Sequence, residues 1–493
     1  MAKKIAIIGA GPAGMMAAYF AAEGGAQVHL YDKNPVVGKK LIFVPWDGCE
    51  ITHKGDTEDF MENYARGAEF IRYSLDRFGC KDAEKFFKKL GIKLTTDENG
   101  VVSPASGQPS EIQKAFEKTL KELGVNFCAS SKVQEVIAKG KVVVGIKVHT
   151  LIKEFDKIIV ATGGAARPKL GASEDGYRFA RDMGHSVVEP KPAMTEVETE
   201  ERLGRHLHGL KFSPTTIAIY YNQSKLLERR GSVIFTDHGL TGDAILFLSG
   251  MVARLADKNK VQISIDLFPQ TTKDQLESQL KAESSLAGRS TVGEVFKKLV
   301  PQQMMPILTR FCRIHENKPM NHITNLERKG LLLFLKDFRV TVKRVKPFSE
   351  ALYTSGGVST EEINPKSMES KLVKGLYFCG EVLDVEGGPG GYNLHSAFAT
   401  GLMAGKSAAR GVKSRDSEEE GLEHEVIDKE EIKEKAPAAE LTKPTRKRSS
   451  KKATTEAEEP IAPEKKTAKK PGKKKAASSS GSSGDNEGTP VAN

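Results

Sequence analysis

The sequence predicts an α/β protein: a parallel-sheet nucleotide-binding domain, interrupted by a long insertion, completed near the C-terminus and followed by a disordered tail. Three observations carry this. Residues 5–14 read IAIIGAGPAG, an apolar strand running into G-x-G-x-x-G. Another apolar strand, followed by a glycine-rich loop and a helix, appears only after residue 375. Beyond residue 410 aromatic and branched apolar residues nearly vanish.

Residues 5–8 are apolar without polar alternation, the pattern of a strand buried on both faces. Gly9 then allows a tight strand-to-helix turn, Gly11 lets backbone approach a pyrophosphate, and Gly14 lets the helix pack on the strand. Pro12 and Ala13 lie between them, and residues 15–22 continue as an apolar helix. The start of that helix offers unpaired N–H groups and a positive dipole end to phosphate. Residues 28–31 form the next apolar run and end at Asp32, about 20 residues past the glycines, where an acid binds a ribose hydroxyl. Strand, glycines, helix, strand and acid come in that order, so a dinucleotide site on a Rossmann-like domain is expected.

Residues 58–90 are helical in pattern, with Phe70, Ile71, Leu75 and Phe78 at three- and four-residue spacing. Residues 101–102 read as a strand, 111–123 as an amphipathic helix and 125–127 as the next parallel strand. Residues 132–148 alternate as a meander turning at Lys139 and Gly140. Residues 158–161 form another buried strand, ending in Thr162, Gly163 and Gly164. After Pro190, short β-like runs at 216–221, 232–235 and 261–266 surround a helix starting near Thr241. A charged helical stretch covers 272–335, and residues 338–345 alternate as a strand. An apolar strand at 376–379 precedes Gly380 and Glu381, the glycine-rich loop, and a helix over 393–410. The expected domains are therefore 1–190 with 345–412, an insertion at 191–344, and a tail at 413–493. Residues 416–440 are acidic, and 441–480 carry RKRSSKK, KKTAKK and KKPGKKKAA. Such a segment buries too little surface to offset its ordering entropy, so disorder is expected.

The five cysteines are scattered without a C-x-x-C pair, which argues against a disulfide framework or a metal site and fits a reducing compartment. A cytoplasmic location is expected. Lys3 and Lys4 before an apolar run mimic a signal peptide, but the glycine pattern explains that run and no cleavage-like site follows. No stretch approaches 18 apolar residues, so no membrane span is expected. The net charge of +11 permits weak association with polyanions without identifying one.

Across roughly residues 3–410 the chain resembles the BaiN-like, or aminoacetone-oxidase-like, family of NAD(P)/FAD-dependent oxidoreductases. The resemblance rests on IAIIGAGPAGMMAA, VGKKLI, FFKKLGI, IIVATGGAARPKLGASEDGY, FTDHGLTGDAIL and the long SGGVSTEEINPKSMESKLVKGLYFCGEVLDVEGGPGGYNL. It implies FAD bound to the Rossmann-like domain, with a β-barrel and a helical region as the insertion. It implies hydride transfer through flavin N5, with NAD(P)H or a small organic substrate as donor. Carried over by position, Gly9, Gly11, Pro12, Ala13 and Gly14 would contact the pyrophosphate. Asp32, with Lys33 beside it, would bind the adenosine ribose, and Thr162, Gly163 and Gly164 would lie along the adenosine half. Lys40, Gly380 and Glu381 would serve the cofactor as well, the last two at the ribityl and phosphate region. Gly390, Gly391, Tyr392, Asn393 and Leu394 would bring a helix N-terminus to the flavin pyrimidine edge, where reduced flavin carries negative charge.

The chain departs from the family after VGKKLI. Where relatives carry a loop like S-G-G-G-R-C-N, it has Val44, Pro45, Trp46, Asp47, Gly48, Cys49 and Glu50. Either Trp46 packs on the isoalloxazine or it fills the space and weakens binding. Ser106, Gly107 and Gln108 also replace a charged S-D-K. These departures motivate an alternative, a flavin-binding or regulatory protein that has lost turnover. Trp46, Cys49 as a redox thiol and His395 as a proton-transfer group are the weak catalytic candidates; a packed thiol and a half-buried helix histidine are the plainer readings. Asp237 and His238 read either as a polar pair delivered to substrate or as a turn with Thr241 capping a helix. His206 and His208 would share one strand face, without a third ligand for a metal. The lysines of 441–480 are candidates for non-specific nucleic-acid contact, against a solvated extension.

Overall fold

The structure, a computed structural model, describes residues 2–43, 49–286 and 290–410. Expectations for the loop around Trp46 and for the tail lie outside these residues.

The centre is a five-stranded parallel sheet in the order Leu376–Phe378, Lys157–Val160, Lys4–Ile8, Gln27–Tyr31, Asn126–Cys128. Ile5, Ile7, Ile158 and Ile159 are fully buried, as strands covered on both faces must be. The chain builds outward from Lys4–Ile8 on one side, then returns to its other side with Lys157–Val160. That reversal opens a crevice at the carboxyl ends of the two strands, where ligands bind in open α/β sheets.

Helix Pro12–Glu23 covers one face of the sheet and packs against helix Tyr392–Ala409. The approach is close. A Cβ on Gly401 would lie 2.4 Å from the Ala13 carbonyl oxygen, and one on Gly405 equally near that of Ala17. A three-stranded antiparallel sheet, Val133–Lys139, Val142–Val148 and Leu151–Glu154, flanks this core.

A closed six-stranded barrel comes from Val197–Thr199, Lys211–Tyr221, Ser224–Phe235, Gly239–Thr241, Val261–Asp266 and Phe338–Val345. Two of its strands are longer than the sequence pattern predicts. They form one hairpin whose turn places Asn222 and Gln223 at φ 49° and 67°, the left-handed pair a tight hairpin needs. The charged face of SKLLERRG hides that strand from a hydrophobicity reading. Helix Asp243–Ala256 lies against the barrel, and its N-cap is Gly242, not Thr241. The charged stretch after 272 resolves into helices Lys273–Leu286, Val292–Phe296, Met305–Cys312 and Asn325–Lys336. Capping boxes at Thr291 and Thr324 set two of the starts.

The 58–90 region also differs from a continuous helical reading. It contains helices Thr57–Met61, Ala68–Arg77 and Cys80–Lys89, with a short strand Tyr64–Arg66 among them. That strand pairs with Glu386–Gly387 beside the glycine-rich loop, a long-range partnership that local periodicity does not report. Residues 204–207 form a helical turn, so the shared strand face for His206 and His208 is corrected. No helix among the described residues is long and apolar enough to cross a membrane.

Candidate functional site

One pocket of about 420 Å³ starts at the first glycine turn and reaches the N-terminus of helix Tyr392–Ala409. At its start Gly9 has φ +105°, and a Cβ there would meet the Ala161 carbonyl oxygen at 2.3 Å. A Cβ on Gly14 would sit 1.8 Å from the Gly9 oxygen, so this glycine serves helix-to-strand packing and does not line the pocket. Gly11 has open space where its side chain would be, leaving its backbone free for a phosphate. Pro12 and Ala13 line the wall beside it.

Asp32 ends its strand facing the same pocket. Its carboxylate accepts from the Ala10 N–H (2.8 Å), the Asn34 N–H (2.7 Å) and the Asn34 amide (2.9 Å). A carboxylate has about four lone-pair positions, so acceptor capacity remains for a hydroxyl. Lys33 instead turns to Asp175 (4.0 Å) and is not part of the lining. Lys39, which the motif reading passed over, lines the pocket and donates to Asn34 (3.1 Å). Arg167, Leu170 and Gly171 close this end, with Gly171 packed tightly on the Asn34 amide.

Thr162, Gly163 and Gly164 form the middle of the wall with Lys40 and Glu381. Lys40 Nζ bonds Glu381 Oε2 at 2.8 Å. Glu381 Oε1 and Thr162 Oγ1 are buried with no hydrogen-bond partner. Buried polar atoms are almost always satisfied, so each such atom needs a physical reason. A bound molecule carrying hydroxyls would supply it. Gly380 is turned away from the pocket: it packs on Ala13, and its N–H donates to Thr400 Oγ1 (3.0 Å).

The far end is made by Cys49, Glu50, Gly388, Pro389, Gly391, Asn393 and Leu394. The glycine-rich loop is held from several sides. The Gly387 N–H donates to Asn393 Oδ1 (2.8 Å), and the Asn393 amide returns a bond to the Gly387 carbonyl (2.6 Å). A Cβ on Gly388 would strike the Phe247 ring at 2.7 Å, and one on Gly391 the Thr52 backbone at 2.8 Å. Gly390 and Tyr392 support this end without lining it. The Tyr392 ring stacks on His53, and its carbonyl accepts from the Tyr64 hydroxyl (2.8 Å). Met194 and Leu246 add an apolar wall from outside the sheet domain.

Two catalytic candidates become packing residues. His395 is fully buried, with Nδ1 bonded to Thr52 Oγ1 and Nε2 to the Phe78 carbonyl, both at 2.8 Å. Burial lowers its pKa to about 4, so it stays neutral near pH 7 and has no free nitrogen for proton transfer. Cys49 touches the pocket, but burial and the neighbouring Glu50 raise its thiol to about 12. That shift disfavours the thiolate form that redox chemistry needs. Asp237 and His238 occupy the turn between Thr236 and Gly239, where Asp237 pairs with His208 (3.0 Å). Among the described residues no cluster of three or more metal-ligating side chains occurs.

A family model described as the HI0933-like protein Rossmann domain matches residues 3–407. The chain belongs to the HI0933-like family. It is a family of flavoprotein oxidoreductases. One relative, the 3-dehydro-bile acid delta(4,6)-reductase of Clostridium scindens, is 29% identical and covers 82% of this chain and 99% of its own. Another, the ribosomal RNA dihydrouridine synthase of Haemophilus influenzae, is 27% identical over 82% and 98%. Among solved structures, a flavocytochrome c3 fumarate reductase in its open conformation aligns with TM-score 0.44 at 18% identity, covering 83% of this chain and 78% of that one.

The pocket of this HI0933-like chain fits FAD on its own chemistry. It joins a glycine turn at a helix start, an acid at a strand end, two unsatisfied oxygens and a second helix start at the far end.

Proposed function

We propose that the chain binds FAD along this pocket and acts as an NAD(P)H-linked oxidoreductase on a small unsaturated carbonyl compound. The observation that carries the reading is the pair of buried, unpartnered oxygens, Thr162 Oγ1 and Glu381 Oε1, on two residues that line a pocket beginning at the dinucleotide turn. When bound, FAD would accept hydride at N5 and pass it to a second substrate. Gly11 and the start of helix Pro12–Glu23 would hold the pyrophosphate, Asp32 the adenosine ribose, and Glu381, oriented by Lys40, the ribityl hydroxyls. Asn393 clamps the glycine-rich loop in place, and Met194 and Leu246 exclude water from the side where substrate would approach. The name of the bile acid reductase supports a small substrate of this class, and that of the dihydrouridine synthase supports only the reduction of a ring double bond, since it names ribosomal RNA.

The purified protein is expected to be yellow and to bleach when NADH or NADPH is added without oxygen. An enone should then restore the colour. A colourless protein that takes up no added FAD overturns the reading. Bound flavin that neither nicotinamide reduces removes the NAD(P)H link and favours the regulatory alternative.

A further inference from the structure

The far end of the pocket holds a fixed negative charge. Glu50 Oε2 accepts from the Gly390 N–H and the Gly391 N–H, both at 3.0 Å. Gly391 is the N-cap of the 18-residue helix Tyr392–Ala409, and Glu50, Gly391, Asn393 and Leu394 line one surface. Two donors that point from this helix start are thus taken by the chain's own carboxylate. Among the described residues Glu50 has no ion-pair partner. The helix end offers only about half a positive charge, so the carboxylate is not neutralised. The charges acting on neighbouring Tyr392, Glu50 among them, are mixed. Arg229 lies near Tyr392, with its guanidinium bonded to the Glu62 carbonyl and Asn63 Oδ1, while Asp59 adds another carboxylate.

We propose that Glu50 opposes reduction of the bound flavin, setting its potential below what the helix start alone would give. The inference rests on the reading of the pocket as an FAD site. Reduction places negative charge at the flavin's pyrimidine edge, which a helix N-terminus favours and a nearby carboxylate disfavours. In this chain both act at the same end of the pocket.

The test compares the FAD-loaded full chain with Glu50→Gln and Glu50→Asn, both neutral and both able to accept from the two N–H groups. Redox titration against indicator dyes should show the reduced form favoured about tenfold more in each variant, equivalent to about 30 mV for two electrons. Sulfite, which adds to oxidised flavin to give an anionic adduct, should bind about tenfold more tightly, with FAD content unchanged. Unmoved potential and sulfite affinity in a loaded variant overturn the inference and leave the FAD reading intact. Loss of FAD from both variants overturns it too, because Glu50 would then be needed to hold the cofactor. A wild-type chain that binds no FAD overturns both.

Discussion

Thr162 and Glu381 show how single atoms define this site. Leaving a buried acceptor unpaired costs roughly 1–3 kcal/mol, a cost that the packing around Gly164 makes hard to avoid by rotation. A Cβ on that glycine would lie 2.4 Å from Thr354 Oγ1 and 2.7 Å from Glu381 Oε1. Replacing Glu381 with Gln removes the charge that pairs with Lys40. FAD affinity should fall by roughly ten- to a hundredfold, the range for one hydrogen bond to a charged group. Flavin-fluorescence quenching measures it, and unchanged affinity would remove Glu381 from the cofactor's contacts. His395→Ala should act differently. It strips partners from Thr52 and the Phe78 carbonyl and should cost roughly 3 kcal/mol in denaturant unfolding. The pH profile of flavin reduction should keep its shape, whereas a displaced profile would restore His395 as a proton carrier. Because its folded pKa is about 4 against an ordinary 6.5, its contribution to stability is full above pH 6.5 and is lost as pH falls toward 4.

At the scale of elements, motifs with one local cause were legible and those with distant causes were not. IAIIGAGPAG announces strand, turn and helix because Gly9 and Gly14 each answer to a backbone contact within the motif or one strand away, while Gly11 faces open space. The strand Phe338–Val345 alternates as expected from Phe338 to Val342, where one face is buried, and loses the alternation at Lys343 and Arg344. Tyr64–Arg66 escaped because its partner lies more than 300 residues away. Pocket residues such as Met194 and Leu246 escaped for a related reason, since only tertiary packing brings them to the pocket, whereas Glu50 was legible as part of the altered loop. His395 was legible as a histidine at a functional motif, but its burial was not. The helix pair makes a sharp test of packing. Gly401→Val would drive a branched side chain into the Ala13 carbonyl of the fingerprint helix. It should destabilise the chain by roughly 1–3 kcal/mol or more and release FAD, read by thermal unfolding and by flavin in the filtrate. A variant with native melting temperature and full FAD would show that the helices are free to separate.

At the scale of the whole molecule, the parallel sheet supplies the crevice of the candidate site, and the helix packed on the barrel adds Leu246 to its apolar wall. The barrel carries its own pH sensitivity. Glu198 is buried and bonded to Arg344 (2.7 Å), with Lys346 at 3.2 Å, and these hold its pKa down from an ordinary 4.5 to about 2. A depressed carboxylate contributes stability above its unfolded pKa and loses it as pH falls through the folded one. Acid unfolding of Glu198→Gln should therefore lose its steepness between about pH 4.5 and 2, while a curve parallel to wild type would discount the pair. Ending the chain at Arg410 should leave FAD content unchanged, since among the described residues the last to line the pocket is Ala397. The same truncation should abolish any salt-sensitive DNA binding that the lysines of 441–480 provide. Equal affinity in the two forms would remove the tail from nucleic-acid association.

The pairing of Leu376–Phe378 with Lys157–Val160 also sets an order of events during synthesis. A ribosome must add more than 200 residues after the fourth strand is made before the fifth can dock. The helix that closes the fingerprint face emerges later still. Until then the nascent chain carries an open sheet edge and an uncovered apolar helix, the surfaces on which chaperones act and aggregation begins. Its nucleotide turn can form early, yet the far wall of the pocket does not exist until synthesis has passed Ala397. Cofactor loading on this account follows synthesis of that helix, and translation interrupted before it should release chains that hold no flavin.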